Sequence, residues 1–245
     1  MQEKSKPVDN LRADAEKIIT RAIAAVLPDA TVERALKGKT FLGRVCLVAA
    51  GKAAWQMAHA ARACLQDNFC GGVVVTKYGH VKGEIADVAC FEGGHPVPDE
   101  NSLRGTDAAL ALTEDLTESD TVVFLLSGGG SALFEKPLLP LAELQDVTNQ
   151  LLAAGADIVE INTIRKRLSA VKGGRFARHC APAQVFAVVL SDILGDPLDM
   201  IASGPAYPDS SSCAQALDIA KRYGLRLSER AWALLAQETP KTLTN

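Results

Sequence analysis

Three consecutive glycines bracketed by serines, Ser127-Gly128-Gly129-Gly130-Ser131, are the residues best suited to hold an anion. Glycine leaves its backbone N–H groups bare, and a concavity of such groups accepts phosphate or carboxylate. An uncharged apolar run, Val122 to Leu126, feeds the segment and reads as a buried strand. A tight strand-to-helix turn would use the same residues, although one turn rarely needs three glycines in a row. Lys52, beside Gly51, is a second candidate, set between a strand and a helix start where negative charge is welcome. A solvated turn lysine fits that pattern equally well. The segment is not a P-loop, because Cys46 stands where a glycine is required and Ala53 where a hydroxyl is required. No GxGxxG follows a strand, so the dinucleotide fingerprint is missing.

Further along, Asn162, Arg165, Ser169 and Lys172 repeat at i, i+3, i+7, i+10, one residue past the apolar stripe Ile161, Ile164, Leu168, Val171. A polar stripe at the edge of a packed face borders a cleft or faces solvent. Lys172-Gly173-Gly174-Arg175 then lets backbone and cations approach an anion, whereas Arg167 and Arg178 are expected as surface charges. Asp192 comes just after another buried strand, where a hard oxygen ligand would suit Mg²⁺ beside a phosphate. Asp196, before Pro197, suits a turn equally. His95 in the rigid stretch GGHPVPD, with Asp99 behind it, is either catalytic or part of an ordinary turn, and the bland reading is slightly favoured. No His/Cys cluster has metal-ligand spacing, and no GxSxG is present.

Something must hold these residues. Helical spacing is expected over Asp9–Leu27, the segment after Lys52, Ser102–Leu116, Leu141–Ala154, Asp157–Val171, and near Ser212–Tyr223 and Ser228–Gln237. Strands are expected at Val45–Ala50, Gly72–Thr76, Val88–Phe91, Val122–Leu126 and Val185–Leu190. Alternating strands and helices imply an α/β fold: a three-layer Rossmann-like domain with a mostly parallel sheet and helices on both faces. Ligands bind at the carboxyl ends of such strands. Each unusual loop, Gly51-Lys52, Lys77–His80, Gly93–Asp99, Ser127–Ser131 and Ser191–Asp196, follows a strand, so all should line one rim.

With 245 residues, 48% hydrophobic and 22% charged, the chain can bury one large core or two small ones. A net charge of −3 and 5% aromatics argue against nucleic acid as the partner. No segment is long and apolar enough to span a membrane, and the start MQEKSKPVDN has no signal-peptide core, so a cytoplasmic location is expected. The six cysteines form no CxxC pair and read as reduced, mostly buried thiols.

Together the motifs AAGKAAWQMA (Ala49–Ala58), VVVTKYGH (Val73–His80), EGGHPVPDE (Glu92–Glu100), LLSGGGSAL (Leu125–Leu133), INTIRKRLSAVKGGR (Ile161–Arg175), LSDILGDPLDMIASGP (Leu190–Pro205) and ETPK (Glu238–Lys241) resemble the MOFRL-type glycerate 2-kinases, a family often named hydroxypyruvate reductases. The resemblance implies phosphorylation of the 2-hydroxyl of D-glycerate with ATP and Mg²⁺. It implies an N-terminal α/β domain, here residues 1–237, and a connector, residues 238–245, to a C-terminal MOFRL domain that this chain lacks. Carried over by motif, Lys52 is the GKAA lysine, Ser127–Ser131 the glycine-rich loop, and Asn162, Arg165, Ser169 and Lys172 the polar set. The expected roles are Lys52 and Arg165 offsetting charge on the transferring group, and the loop or Lys172 holding phosphate or carboxylate. Asp192 would hold Mg²⁺ or accept the hydroxyl proton. A nicotinamide-dependent hydroxypyruvate reductase, and an inactive ligand-binding half that self-associates as a homodimer, are the rival expectations.

Overall fold

The computed structural model describes residues 8–65, 67–191 and 195–243. Asp192, the expected metal ligand, lies outside the described residues. The elements in chain order are α1 (Val8–Ala25), α2 (Pro28–Leu36), β1 (Val45–Ala50), α3 (Ala54–Cys64), β2 (Phe69–Lys77), β3 (Val88–Gly93), α4 (Glu100–Leu112) and β4 (Thr121–Leu126). They continue with α5 (Gly130–Leu133), α6 (Leu141–Ala153), α7 (Ile158–Arg167), α8 (Arg175–Cys180), β5 (Gln184–Val189), a 3₁₀ turn (Ile201–Ser203), α9 (Cys213–Arg222) and α10 (Glu229–Leu235).

The five strands pair in the order β3-β2-β1-β4-β5, every pairing parallel. The expected α/β layering is therefore present. β1 and β4 lie centrally and are buried at every position, which explains their unbroken apolar runs. Successive side chains serve opposite faces. Val123 and Leu125 pack with Met57 and Val32 under α2 and α3, while Val122, Phe124 and Leu126 pack with Ala109, Phe134 and Phe176 under α4, α5 and α8. The Phe124 ring meets Phe176 at 4.8 Å and Phe134 at 5.5 Å, so removing it should cost about 3–5 kcal/mol. A separate apolar cluster joins α6, α7, α9 and α10 into a helical lobe beside the sheet.

Parallel β2 and β3 are joined by residues 78–87, without a helix. The path is pinned from α3: Trp55 donates to Gly83 O at 3.0 Å and Arg62 to Ala86 O at 3.1 Å.

Several expectations are corrected. Pro28 opens α2, at a position where its missing N–H costs nothing, rather than only following a helix end. The helix expected to reach Val171 stops at Arg167, because the chain turns to let Ala170 N donate to Lys136 O at 2.8 Å. Arg167 is wholly buried rather than a surface charge: it donates to Thr163 O and Ser211, and it flanks the buried Asp209. Lys166, equally buried, donates to Asp209 at 2.9 Å. The ETPK segment is docked through its middle: Thr239 is buried and its Oγ1 donates to Asp209 at 2.6 Å, and Asp209 N donates to Pro240 O, while Glu238 and Lys241 stay exposed. Of the six thiols only Cys46 and Cys180 are buried.

Candidate active site

In a sheet of this order the chain reverses direction between β1 and β4, and the crevice at their carboxyl ends is the expected ligand site. Gly51-Lys52 leaves β1 there, and Ser127–Ser131 leaves β4 beside it. The two turns are stitched together. Lys52 N donates to Gly128 O at 2.9 Å, and Ala53 N donates to Ser127 Oγ at 3.0 Å. Gly51 is required by this approach: a Cβ there would sit 2.3 Å from Ser127 Oγ. The eleven-residue α3 begins at Ala54, two residues past Lys52, so the positive end of its dipole lies at the same rim. The Lys52 side chain is exposed, and among the described residues no carboxylate pairs with it.

His95 joins them. A Cβ on Gly129, whose φ is +88°, would fall 2.9 Å from His95 Nε2 and 3.3 Å from Lys52 Cγ. The imidazole thus lies on the glycine-rich loop beside the lysine stem. Burial, then the Lys52 and Lys77 charges, pull its pKa below the ordinary histidine value, which keeps the ring neutral. Asp99 does not partner it. That carboxylate caps α4 through Ser102 N at 2.9 Å and accepts from Tyr78.

Asn162 and Arg165 from α7, and Lys172 from the turn after it, gather around Ser131 at the start of α5. Arg165 Nη2 donates to Ser131 O at 3.1 Å and Lys172 Nζ donates to the same oxygen at 2.9 Å. Ser131 Oγ is 3.1 Å from Ser203 Oγ, which donates to Asn162 Oδ1 at 2.9 Å. Ala202 (φ +51°) and Ser203 (φ +62°) both sit in the left-handed region. Such strain in non-glycine residues is characteristic of functional loops. In the sequence Ser203 is marked only by its place in the small-residue loop Ala202-Ser203-Gly204-Pro205.

Depth differs among these residues. Arg165 is half-buried, its Nε is out of solvent with no partner among the described residues, and burial lowers its pKa. It borders a cavity of about 100 Å³ that Pro96, Val97, Pro98 and Gln145 also line. Lys172 is fully buried behind the loop, donating to Phe134 O at 2.8 Å and lying 3.3 Å from the equally buried Glu135. Burial, opposed by Glu135, lowers its pKa to about 8. Ser169 is equally buried: its carbonyl accepts from Arg175 at 2.6 Å, and its Oγ accepts from Val171 N. Arg165 and Lys172 thus meet Ser131 directly, Asn162 meets it through Ser203, and Ser169 is bonded elsewhere. Among the described residues no three His, Cys, Asp or Glu side chains gather to hold a metal.

This arrangement is a rim of bare backbone, one exposed cation, one neutral imidazole and one half-buried guanidinium. It can neutralise and orient a small anion.

The comparisons agree with this architecture. A model of the family described as a domain of unknown function, DUF4147, matches residues 14–236. The chain is 54% identical to the D-glycerate 2-kinase of Thermotoga maritima over 239 residues, 97% of this chain and 57% of that protein. It is 42% identical to a putative hydroxypyruvate reductase of Agrobacterium vitis, over 92% of this chain and 52% of the relative. The crystal structure of the Thermotoga maritima glycerate kinase superposes with a TM-score of 0.92 at 53% identity, covering 97% of this chain and 57% of that one. The chain therefore spans about half the length of the curated relatives it matches. A matched family model over nearly all of its length, together with this shared fold, means that the chain belongs to the DUF4147 family.

Proposed function

We propose that this chain is the phosphate- and substrate-binding half of a D-glycerate 2-kinase, which moves the terminal phosphoryl group of ATP to the 2-hydroxyl of D-glycerate. The supporting observation is the stitched pair of turns at the switch point, Lys52 N to Gly128 O at 2.9 Å, with an exposed ammonium on one and bare glycine backbone on the other. The kinase names of the Thermotoga and other relatives point the same way.

Phosphoryl transfer needs positioning and charge neutralisation more than covalent help from the protein. In this reading the backbone of Ser127, Gly128, Gly129, Gly130 and Ser131 cradles a phosphate or the substrate carboxylate. Lys52 offsets charge on the transferring group, and Arg165 binds an anionic oxygen from the cavity side. Asn162, through Ser203, and Lys172 hold the frame on which Ser131 sits, and Ser169 holds the turn behind it through Arg175. The 2-hydroxyl proton passes to His95, which is neutral, or to Asp192. Mg²⁺ would enter with the nucleotide phosphates. The described side chains supply no ligand set of their own for it, so Asp192 is the residue proposed to touch it.

Calorimetric titration of the chain with ATP and with D-glycerate tests this. Heat of binding for both, lost for ATP on Lys52→Ala, is expected, and ADP release then reports turnover. No binding of either ligand, or binding untouched by Lys52→Ala, refutes it. The name carried by the Agrobacterium relative motivates one alternative, a hydroxypyruvate reductase. Hydroxypyruvate-dependent loss of NADH absorbance would favour that reading, against which the missing glycine fingerprint counts.

A further inference from the structure

We propose that Cys46 and Cys70 form a site of reversible oxidative modification, in which a peroxide converts the two thiols into a disulfide linking β1 to β2. Three observations carry it. First, the strand register shifts between Val45, opposite Phe69, and Cys46, opposite Gly71, which leaves Cys70 as the extra residue of a bulge. Second, the two sulfur atoms are 2.7 Å apart, closer than non-bonded sulfurs normally approach, and sit on adjacent strands whose spacing lies within disulfide reach. Third, exposure is asymmetric: Cys70 is exposed and Cys46 buried. The only other polar neighbour of Cys46 Sγ in hydrogen-bond range, among the described residues, is Leu112 O at 3.8 Å.

The asymmetry divides the roles. Burial first, then the neighbouring Cys70 thiol, push Cys46 far above the usual thiol range, so it stays protonated and unreactive by itself. Cys70 is therefore the thiol that meets the oxidant. Its thiolate attacks one oxygen of hydrogen peroxide, the O–O bond breaks, and the departing hydroxide takes up a proton as water. The resulting sulfenic sulfur is then attacked by Cys46. The S–O bond breaks, the hydroxyl leaves with the Cys46 proton as a second water, and the disulfide closes. Both sulfurs are oxidised by one electron and the peroxide is reduced by two. A thiol reductant reverses the step. The pair sits at the amino ends of its strands, the opposite edge of the sheet from Lys52, so the inference is independent of the proposed kinase reading.

The test uses the whole reduced chain treated with a small excess of hydrogen peroxide, then unfolded, alkylated and weighed. The expected result is loss of two alkylatable thiols, a Cys46–Cys70 linked peptide in a non-reducing digest, and full reversal by dithiothreitol. Closing a loop of 24 residues should also raise the thermal midpoint by about 5–15 °C. Cys70→Ser should abolish all of these changes, and Cys64→Ser, which removes another exposed thiol, should abolish none. The inference is overturned if Cys46 remains alkylatable after oxidation, if Cys70 proceeds to sulfinic or sulfonic acid without a linked peptide, or if the linkage joins a different pair.

Discussion

The Lys172 ammonium and the Glu135 carboxylate lie 3.3 Å apart, and neither side chain is reached by water. Lys172 reaches past this partner to the carbonyls of Ser131 and Phe134, so one buried cation ties the end of α5 to the turn after α7. Paired buried charges of this kind hold a loop in one place more than they add net stability.

That pair should be visible in the pH dependence of stability. Burial, opposed by Glu135, brings the folded-state pKa of Lys172 to about 8, below its ordinary value. Between pH 8 and the ordinary lysine value the unfolded chain holds a proton that the folded chain has released. Stability from this group therefore rises with pH across that window. Relative to a Lys172→Met/Glu135→Leu double variant, the native chain should gain on the order of 1–3 kcal/mol from pH 7.5 to 10, measured by urea unfolding. Each single variant should lose about 3–5 kcal/mol, because it strands the other charge.

Asp209 anchors the second buried charge cluster. Burial by itself would raise its pKa, but hydrogen bonds from Thr239, Ser211 and Lys166 more than offset this and hold it at about 2. Its stabilising contribution is thus fully present above the ordinary carboxylate value and is lost as pH falls toward 2. Asp209→Asn leaves the buried Lys166 and Arg167 with only the partly exposed Asp199 at 3.4 Å and Glu238 at 3.5 Å as counter-charges, and should cost about 3–5 kcal/mol in denaturant unfolding. The same change should expose the 238–241 segment to proteolysis, since Thr239 Oγ1 donates to the Asp209 carboxylate.

Gly129→Ala should strain the anion loop twice over. The left-handed backbone at φ +88° costs a non-glycine residue about 1–2 kcal/mol, a drop of about 2–8 °C in thermal midpoint. The new methyl would also meet the His95 ring at 2.9 Å and push it off the loop. A chemical-shift change of the His95 ring in the NMR spectrum of the variant checks the second effect separately from the first.

His95 should titrate below the ordinary histidine value in an NMR titration of its imidazole. Burial is the main cause, with Lys52 and Lys77 adding repulsion. Lys52→Ala should therefore move the midpoint upward without restoring it fully. As pH falls, the unfolded chain takes up this proton before the folded one, so the group withdraws stability on the acid side. An unchanged midpoint in Lys52→Ala would mean that the ring and the lysine do not share a site.

The sequence by itself determined the alternation of strands and helices and the loops that matter. Parallel strands buried on both faces must be unbroken apolar runs such as Thr121–Leu126, and backbone that meets a neighbouring turn or a ligand must be glycine, as at Gly51 and Gly129. The helix expected from Asp157 begins there, with Asp157 capping α7. Only the tertiary structure decided that β1 lies beside β4, which brings Lys52 to Gly128 across 76 positions of chain. It alone decided that His95 rests on Gly129, and that Arg167, Lys166 and Lys172 are buried rather than solvated. A cation is indistinguishable from a surface charge until its partner is known, and Asp209 and Glu135 are 43 and 37 residues away from Lys166 and Lys172. Pairing at that distance is set by how the elements pack, because the energy that keeps a charge out of water comes from neighbours that sequence spacing does not reveal.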